Sequence, residues 1–145
     1  MKRLWPYGLA LLIALSPLAI LHPTTVEGHS MDPRFQDGEW VWVLRAWCAG
    51  APARRQVWVV EGPNGPAIKR VIGLPGETVS EHNGDLWIGG TRLLEPYVEH
   101  LDESDSGPWP CGEGYLVLGD NRPRSEDGRA WGPLSKNALL GRIVF

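Results

Sequence analysis

The chain has 145 residues and 43% hydrophobic content, enough for one domain with a modest core and too apolar for a disordered segment. Its formal net charge is −3, with no basic run beyond pairs such as Arg54-Arg55, which excludes a nucleic-acid partner. The four histidines and two cysteines show no ligand spacing, so neither a metal nor another cofactor is expected.

The first predicted element is apolar. Met1-Lys2-Arg3 precedes a run from Leu4 to about Leu21, interrupted only by Pro6, Gly8, Ser16 and Pro17. About 20 apolar residues span a bilayer, so residues 1–22 read as a single transmembrane anchor and 23–145 as the domain it carries. Basic residues before the run keep that end in the cytoplasm and put the domain on the far side. A cleaved secretory signal is the alternative, but His22-Pro23-Thr24-Thr25 offers no small-x-small cleavage site.

After the anchor the chain is punctuated by Gly and Pro. Glu39–Val43 and Gln56–Val60 are aromatic and β-branched, and Ala67–Ile72 is a third strand, stopped by Gly73-Leu74-Pro75-Gly76. Thr78–Ser80 and Leu86–Ile88 flank His82-Asn83-Gly84-Asp85, whose Asn-Gly pair suits a hairpin turn. Gly114–Leu118 and Gly141–Phe145 complete the set. Pro133–Leu140 reads as a short helix, and 95–112 as a surface loop without an assigned role. Regular short strands of this kind predict an all-β, mainly antiparallel barrel or sandwich behind one transmembrane helix. Cys48 and Cys111 fall in loops, and spacing alone leaves open whether they bond. Trp40 and Trp42 share one strand face, which serves equally for core packing or for contact with a membrane.

Three polar sets stand out, two of them where strands begin or end. In Glu27-Gly28-His29-Ser30-Met31-Asp32-Pro33, Gly28 permits close backbone approach and Pro33 fixes the turn after Ser30. Most serines in such loops are turn formers. In Ile68-Lys69-Arg70-Val71-Ile72 a lysine stands inside an apolar strand. Burial disfavours the charged amine, so such a lysine can act as a general base on a serine hydroxyl. A lysine on an edge strand reaching solvent is the ordinary alternative. The third set, Gly119-Asp120-Asn121-Arg122-Pro123-Arg124-Ser125-Glu126-Asp127-Gly128-Arg129, reads either as a charged loop with local turns or as a support for the other two.

Ser30-Met31-Asp32-Pro33, then Ile68-Lys69-Arg70-Val71-Ile72-Gly73-Leu74-Pro75-Gly76-Glu77, then Gly119-Asp120-Asn121-Arg122 through Ser125, Asp127 and Arg129 to Trp131-Gly132, resemble the boxes of bacterial type I signal peptidases. The resemblance covers most of the chain from Gly28 onward. It implies Ser30 as nucleophile, Lys69 as general base and Ser125 as the hydroxyl orienting Lys69. Gly28, Asp120, Asn121 and Arg122 would be structural residues near the site, with Asp127 and Arg129 as an ion pair. The substrate would lie extended, its small residues facing shallow pockets of Val26, Met31, Phe35 and Ile68. The implied partners are signal peptides of exported preproteins and the lipid bilayer; the implied place is the cytoplasmic membrane. The implied oxyanion donor is the Ser30 backbone N–H.

The chain departs from the family pattern at three places. Gly28 lacks the hydroxyl that some members carry there, Arg34 stands where Thr is usual, and Gly128 where Ser is common. His29 beside Ser30 points to the opposite face of an extended segment, and His22, His82 and His100 could join a distant triad, for which Lys69 is the better candidate. A specialised peptidase of conjugative transfer or pilin maturation, and an inactive membrane-tethered peptide binder, are the alternatives. Retention of Ser30, Lys69 and Ser125 together argues against the second.

Overall fold

The computed structural model describes residues 20–99 and 104–144. Most of the predicted anchor, His100, part of the 95–112 loop and Phe145 lie outside them. No described helix is long and apolar enough to cross a membrane.

The described residues form two antiparallel sheets with little helix. Ten strands run in chain order: β1 (Leu21–Thr25), β2 (Trp40–Arg45), β3 (Val57–Gly62), β4 (Gly65–Gly73), β5 (Thr78–His82), β6 (Asp85–Ile88), β7 (Thr91–Arg92), β8 (Ser106–Pro110), β9 (Leu116–Leu118) and β10 (Leu139–Ile143). Two short helices, α1 (Ala46–Ala49) and α2 (Gly128–Trp131), lie between strands. The large sheet has the order β1-β2-β10-β3-β4-β9, the small one β7-β6-β5-β8. β1 starts at Leu21, inside the segment read as anchor.

The differences from the sequence reading have physical causes. β1 contains Pro23, and β8 contains Pro108 and Pro110; both are edge strands, where a missing N–H faces no ladder partner. The stretch 95–112, read as loop, therefore supplies β8. The helix expected over Pro133–Leu140 reduces to a 3₁₀ turn at Lys136–Ala138, after which Leu139 already pairs with Val60. Leu134 is bridged to Tyr115 and Leu139 is drawn into β10, which leaves room for a single turn between them. The Asn83-Gly84 hairpin forms as expected, with positive φ at both residues.

Alternation explains β2: Val41 and Val43 are buried while Trp40 and Trp42 stand outward, 70% and 42% exposed. These two tryptophans are not core; Trp58, 1% exposed, is. Cys48 and Cys111 are both free thiols.

β4 is different, buried without a break from Lys69 to Gly73 because both faces are covered. Val71 packs with Trp58, Val60 and Val117 on one side, and Ile72 packs with Val79, Leu86 and Leu116 on the other. A third cluster of Val26, Met31, Phe35, Val41 and Val57 lies beneath the loop that carries Ser30.

Candidate active site

The site is built where the middle of β4 passes the loop after β1. Lys69 and Ser30 are 39 residues apart in sequence, yet Lys69 Nζ lies 2.7 Å from Ser30 Oγ. Lys69 is 4% exposed and, among the described residues, has no carboxylate within ion-pair distance. Burial pulls its pKa below the ordinary amine range; Asp127 and Glu126 oppose the shift, Arg129 adds to it and Asp120 opposes it weakly. The Trp131 ring, 6.0 Å from Nζ, forms part of its surroundings.

The Ser30 loop is tied at several points. Gly28, at φ +80°, donates its N–H to Asp37 Oδ1 at 2.7 Å, a backbone geometry that L side chains rarely adopt. Its position offers no side-chain hydroxyl. Phe35 N–H donates to the Met31 carbonyl, and the Asp32–Pro33 peptide is cis. The Ser30 N–H makes no hydrogen bond among the described residues. Asn121 secures the loop twice: its N–H donates to the Ser30 carbonyl and its Nδ2 to the His29 carbonyl, both at 3.0 Å.

The other residues of the third box hold Asn121 in turn. Asp120 receives Arg70 Nε at 2.7 Å and Arg70 Nη2 at 2.5 Å, a buried forked pair that joins this loop to β4. Arg122 donates to the Gly119 carbonyl and to Glu95. Asp127 accepts from Gly119 N–H and pairs with Arg129, whose Nη2 reaches the Arg122 and Ser125 carbonyls. Gly119 admits no side chain, since a Cβ there would lie 2.5 Å from the Ser30 carbonyl oxygen and closer still to Ser125 Oγ. Gly128 is equally constrained: a Cβ would meet the Val117 carbonyl at 2.7 Å, which accounts for the absence of a larger residue. Arg34 lies on the surface with its guanidinium 5.4 Å from the Phe35 ring.

Ser125 is brought to the site, but its Oγ, though buried, has no hydrogen-bond partner among the described residues. The expected bond to Lys69 is not formed here. The four expected pocket residues gather together, but in different roles. Val26, Met31 and Phe35 are packed core, while Ile68 packs against them and lines a cavity of about 250 Å³. Thr24, Thr25 and Glu27 form one wall of that cavity, Pro66, Ala67 and Ile68 another.

Sequence reading missed Glu95 and Tyr97. The Tyr97 hydroxyl donates to Glu95 at 2.9 Å, and its ring stacks 4.0 Å from the Arg70 guanidinium. Nothing local marks them; only their place between two buried arginines does. No group of three or more His, Cys, Asp or Glu that could hold a metal occurs among the described residues.

A family model described as "Signal peptidase, peptidase S26" matches residues 3–145. The signal peptidase IB of Staphylococcus aureus (strain Mu50 / ATCC 700699) is 33% identical over 148 residues, covering 87% of this chain and 77% of that protein. The signal peptidase I of Bacillus licheniformis is 37% identical over 153 residues, covering 94% and 82%. A crystal structure of a signal peptidase I from Enterococcus faecalis V583 is similar with a TM-score of 0.57 and 32% identity, over 66% of this chain and 99% of that one.

Proposed function

The chain belongs to the signal peptidase family, peptidase S26, and is a serine-type endopeptidase; from that premise we propose that it removes signal peptides from exported preproteins with Ser30 as nucleophile and Lys69 as general base. The observation that carries this reading is the 2.7 Å approach of Lys69 Nζ to Ser30 Oγ in a buried setting, with no counter-ion among the described residues. A neutral Lys69 accepts the Ser30 hydroxyl proton as Oγ attacks the carbonyl carbon of the scissile bond. The oxyanion forms beside the unengaged Ser30 N–H, a donor already in place before charge develops. The Lys69 ammonium returns the proton to the leaving amine, the peptide bond breaks, and an ester to Ser30 remains. Lys69 then takes a proton from water, the hydroxide attacks the ester, and Ser30 Oγ leaves with that proton restored. Ser125 is the hydroxyl that steadies Lys69 once substrate is bound.

Substrate recognition follows from β4. Residues Gly65–Lys69 are hydrogen-bonded to β3 on one edge, while β9 begins to pair only at Arg70. An extended peptide adds to the other edge of that segment, a common mode of recognition. The cavity between Glu27 and Ile68 is small, which favours small side chains at the positions one and three before the cut. The apolar run that precedes β1 anchors the chain in the cytoplasmic membrane, with the peptidase domain on the far side. The outward Trp40 and Trp42 support contact with the bilayer. With residues 1–20 removed, replacing both by Ser should lower co-sedimentation of the domain with lipid vesicles; unchanged sedimentation would remove them from the contact.

The deciding experiment is preprotein cleavage in detergent by wild type, Ser30→Ala and Lys69→Ala, each shown to be folded. Wild type should cut after a small-x-small site, and each variant should lose on the order of 10³-fold or more. Near-normal activity of Lys69→Ala would mean that another base operates.

A further inference from the structure

Glu95 and Tyr97 lie outside the three boxes yet touch both charged pairs that flank Asn121. A turn with Pro96 at its corner holds them together, closed by Val98 N–H donating to the Glu95 carbonyl at 3.1 Å. The Tyr97 hydroxyl and Arg122 Nη2 both donate to Glu95 Oε1, at 2.9 Å and 2.6 Å. The Arg122 and Glu95 side chains are 1% and 5% exposed. On the other side of the turn, the Tyr97 ring covers the Arg70 guanidinium that binds Asp120.

We propose that Glu95-Pro96-Tyr97 is a positioning strap that holds Asp120 and Arg122 on either side of Asn121 and so fixes the distance between Ser30 and Lys69. This deepens the serine–lysine reading above and rests on it. Without the Glu95 carboxylate, Arg122 keeps a buried charge that has lost its counter-ion, and such a charge is driven toward water. Arg122 also holds the Gly119 carbonyl, so its displacement loosens the backbone just before Asn121. Asn121 then grips the Ser30 loop less firmly. The Tyr97 ring keeps water from the Arg70–Asp120 pair, whose strength depends on that exclusion. Burial, followed by the Glu95 carboxylate beside it, pushes the Tyr97 hydroxyl well above the ordinary phenol range, so it remains a donor at working pH.

A strap that only stabilised the fold would leave the chemistry of the surviving folded molecules unchanged. A strap that positions the pair does not. Loosening the Ser30 loop lets water reach Lys69 Nζ, which then regains charge, and the rise of activity with pH moves to higher pH. The other groups facing Lys69, namely Asp127, Glu126, Arg129 and Asp120, are not themselves substituted in the test.

The test uses the full chain in detergent with a preprotein substrate, comparing wild type, Ser30→Ala, Glu95→Gln and Tyr97→Phe, with a melting curve for each. Glu95→Gln should lose roughly 10- to 10²-fold in kcat, as small misplacements of reacting groups do. Its KM should stay within about twofold while the pH midpoint rises, as expected when the loss falls on the chemical step. Tyr97→Phe keeps the ring over Arg70 and removes one hydroxyl; it should show the same changes at smaller size. Wild-type kcat and pH midpoint in both variants would overturn the inference. Should Glu95→Gln fail to fold, Tyr97→Phe decides alone: an unmoved midpoint overturns the strap, a raised one supports it. An active Ser30→Ala protein overturns the serine–lysine reading and the strap with it; an inactive one beside unchanged strap variants overturns the strap alone.

Discussion

Lys69 and Arg70 are neighbours on β4, both cations and both buried, 4% and 8% exposed. Successive strand residues point to opposite faces, and the two faces treat charge in opposite ways. On one, Arg70 is surrounded by acceptors: the forked Asp120 carboxylate, the Arg55 carbonyl at 2.7 Å and the face of Tyr97. On the other, Lys69 meets the hydroxyl of Ser30 and an indole, with carboxylates acting only from a distance. Burial without a counter-ion lowers an amine's pKa, whereas burial with one holds the charge in place. The choice of residue matches: a guanidinium stays charged throughout, while an amine can give up its proton. The same strand therefore supplies a fixed charge for structure and, in the proposed mechanism, a base for chemistry.

The sharpest way to break this comparison is to make the two cations alike. Lys69→Arg keeps length and charge but cannot become a neutral base. It should lose on the order of 10³-fold in cleavage at every pH, with the fold retained by circular dichroism. Activity that recovers at alkaline pH would mean that deprotonation at position 69 is not required. The wild type should behave differently. Below the lowered pKa Lys69 is charged and idle; above it the neutral fraction grows, so cleavage should rise with pH and level off. A flat profile from mildly acidic to alkaline pH would remove Lys69 from the base role.

A smaller but still large effect is expected on the other face. Asp120→Ala strips Arg70 of its partner inside the protein and should cost about 3–5 kcal/mol in denaturant unfolding, since the orphaned charge stays buried. Replacing both partners, Arg70→Met with Asp120→Leu, should recover much of that stability, because no buried charge is left. Equal losses in the single and double variants would show that the pair matters through packing rather than charge.

Much of the architecture was legible from residues alone. Aromatic and β-branched residues with turn signals identified β2, β3, β5, β6 and the Asn83-Gly84 hairpin, because each rests on local backbone preference. Three strands escaped notice: β7 is only two residues long, and β1 and β8 carry prolines and exist because a neighbouring strand pairs with them along one edge. The site divides in the same way. Ser30, Lys69 and the box from Gly119 to Arg129 were visible as unusual residues in unusual places. The work of Asn121, the loss of Cβ space at Gly119 and Gly128, and the roles of Glu95 and Tyr97 were not.

The sequence by itself determined the all-β class, the family resemblance and which residue types stand ready for chemistry, since these depend on composition and order along the chain. Only the tertiary structure decided that Lys69 meets a hydroxyl while Arg70 meets a carboxylate, that Val26, Met31 and Phe35 pack into one core cluster with Val41 and Val57, and that Glu95 reaches Arg122. The reason is that these contacts join segments tens of residues apart, where burial and partner are set by strand pairing and packing rather than by neighbours in the chain.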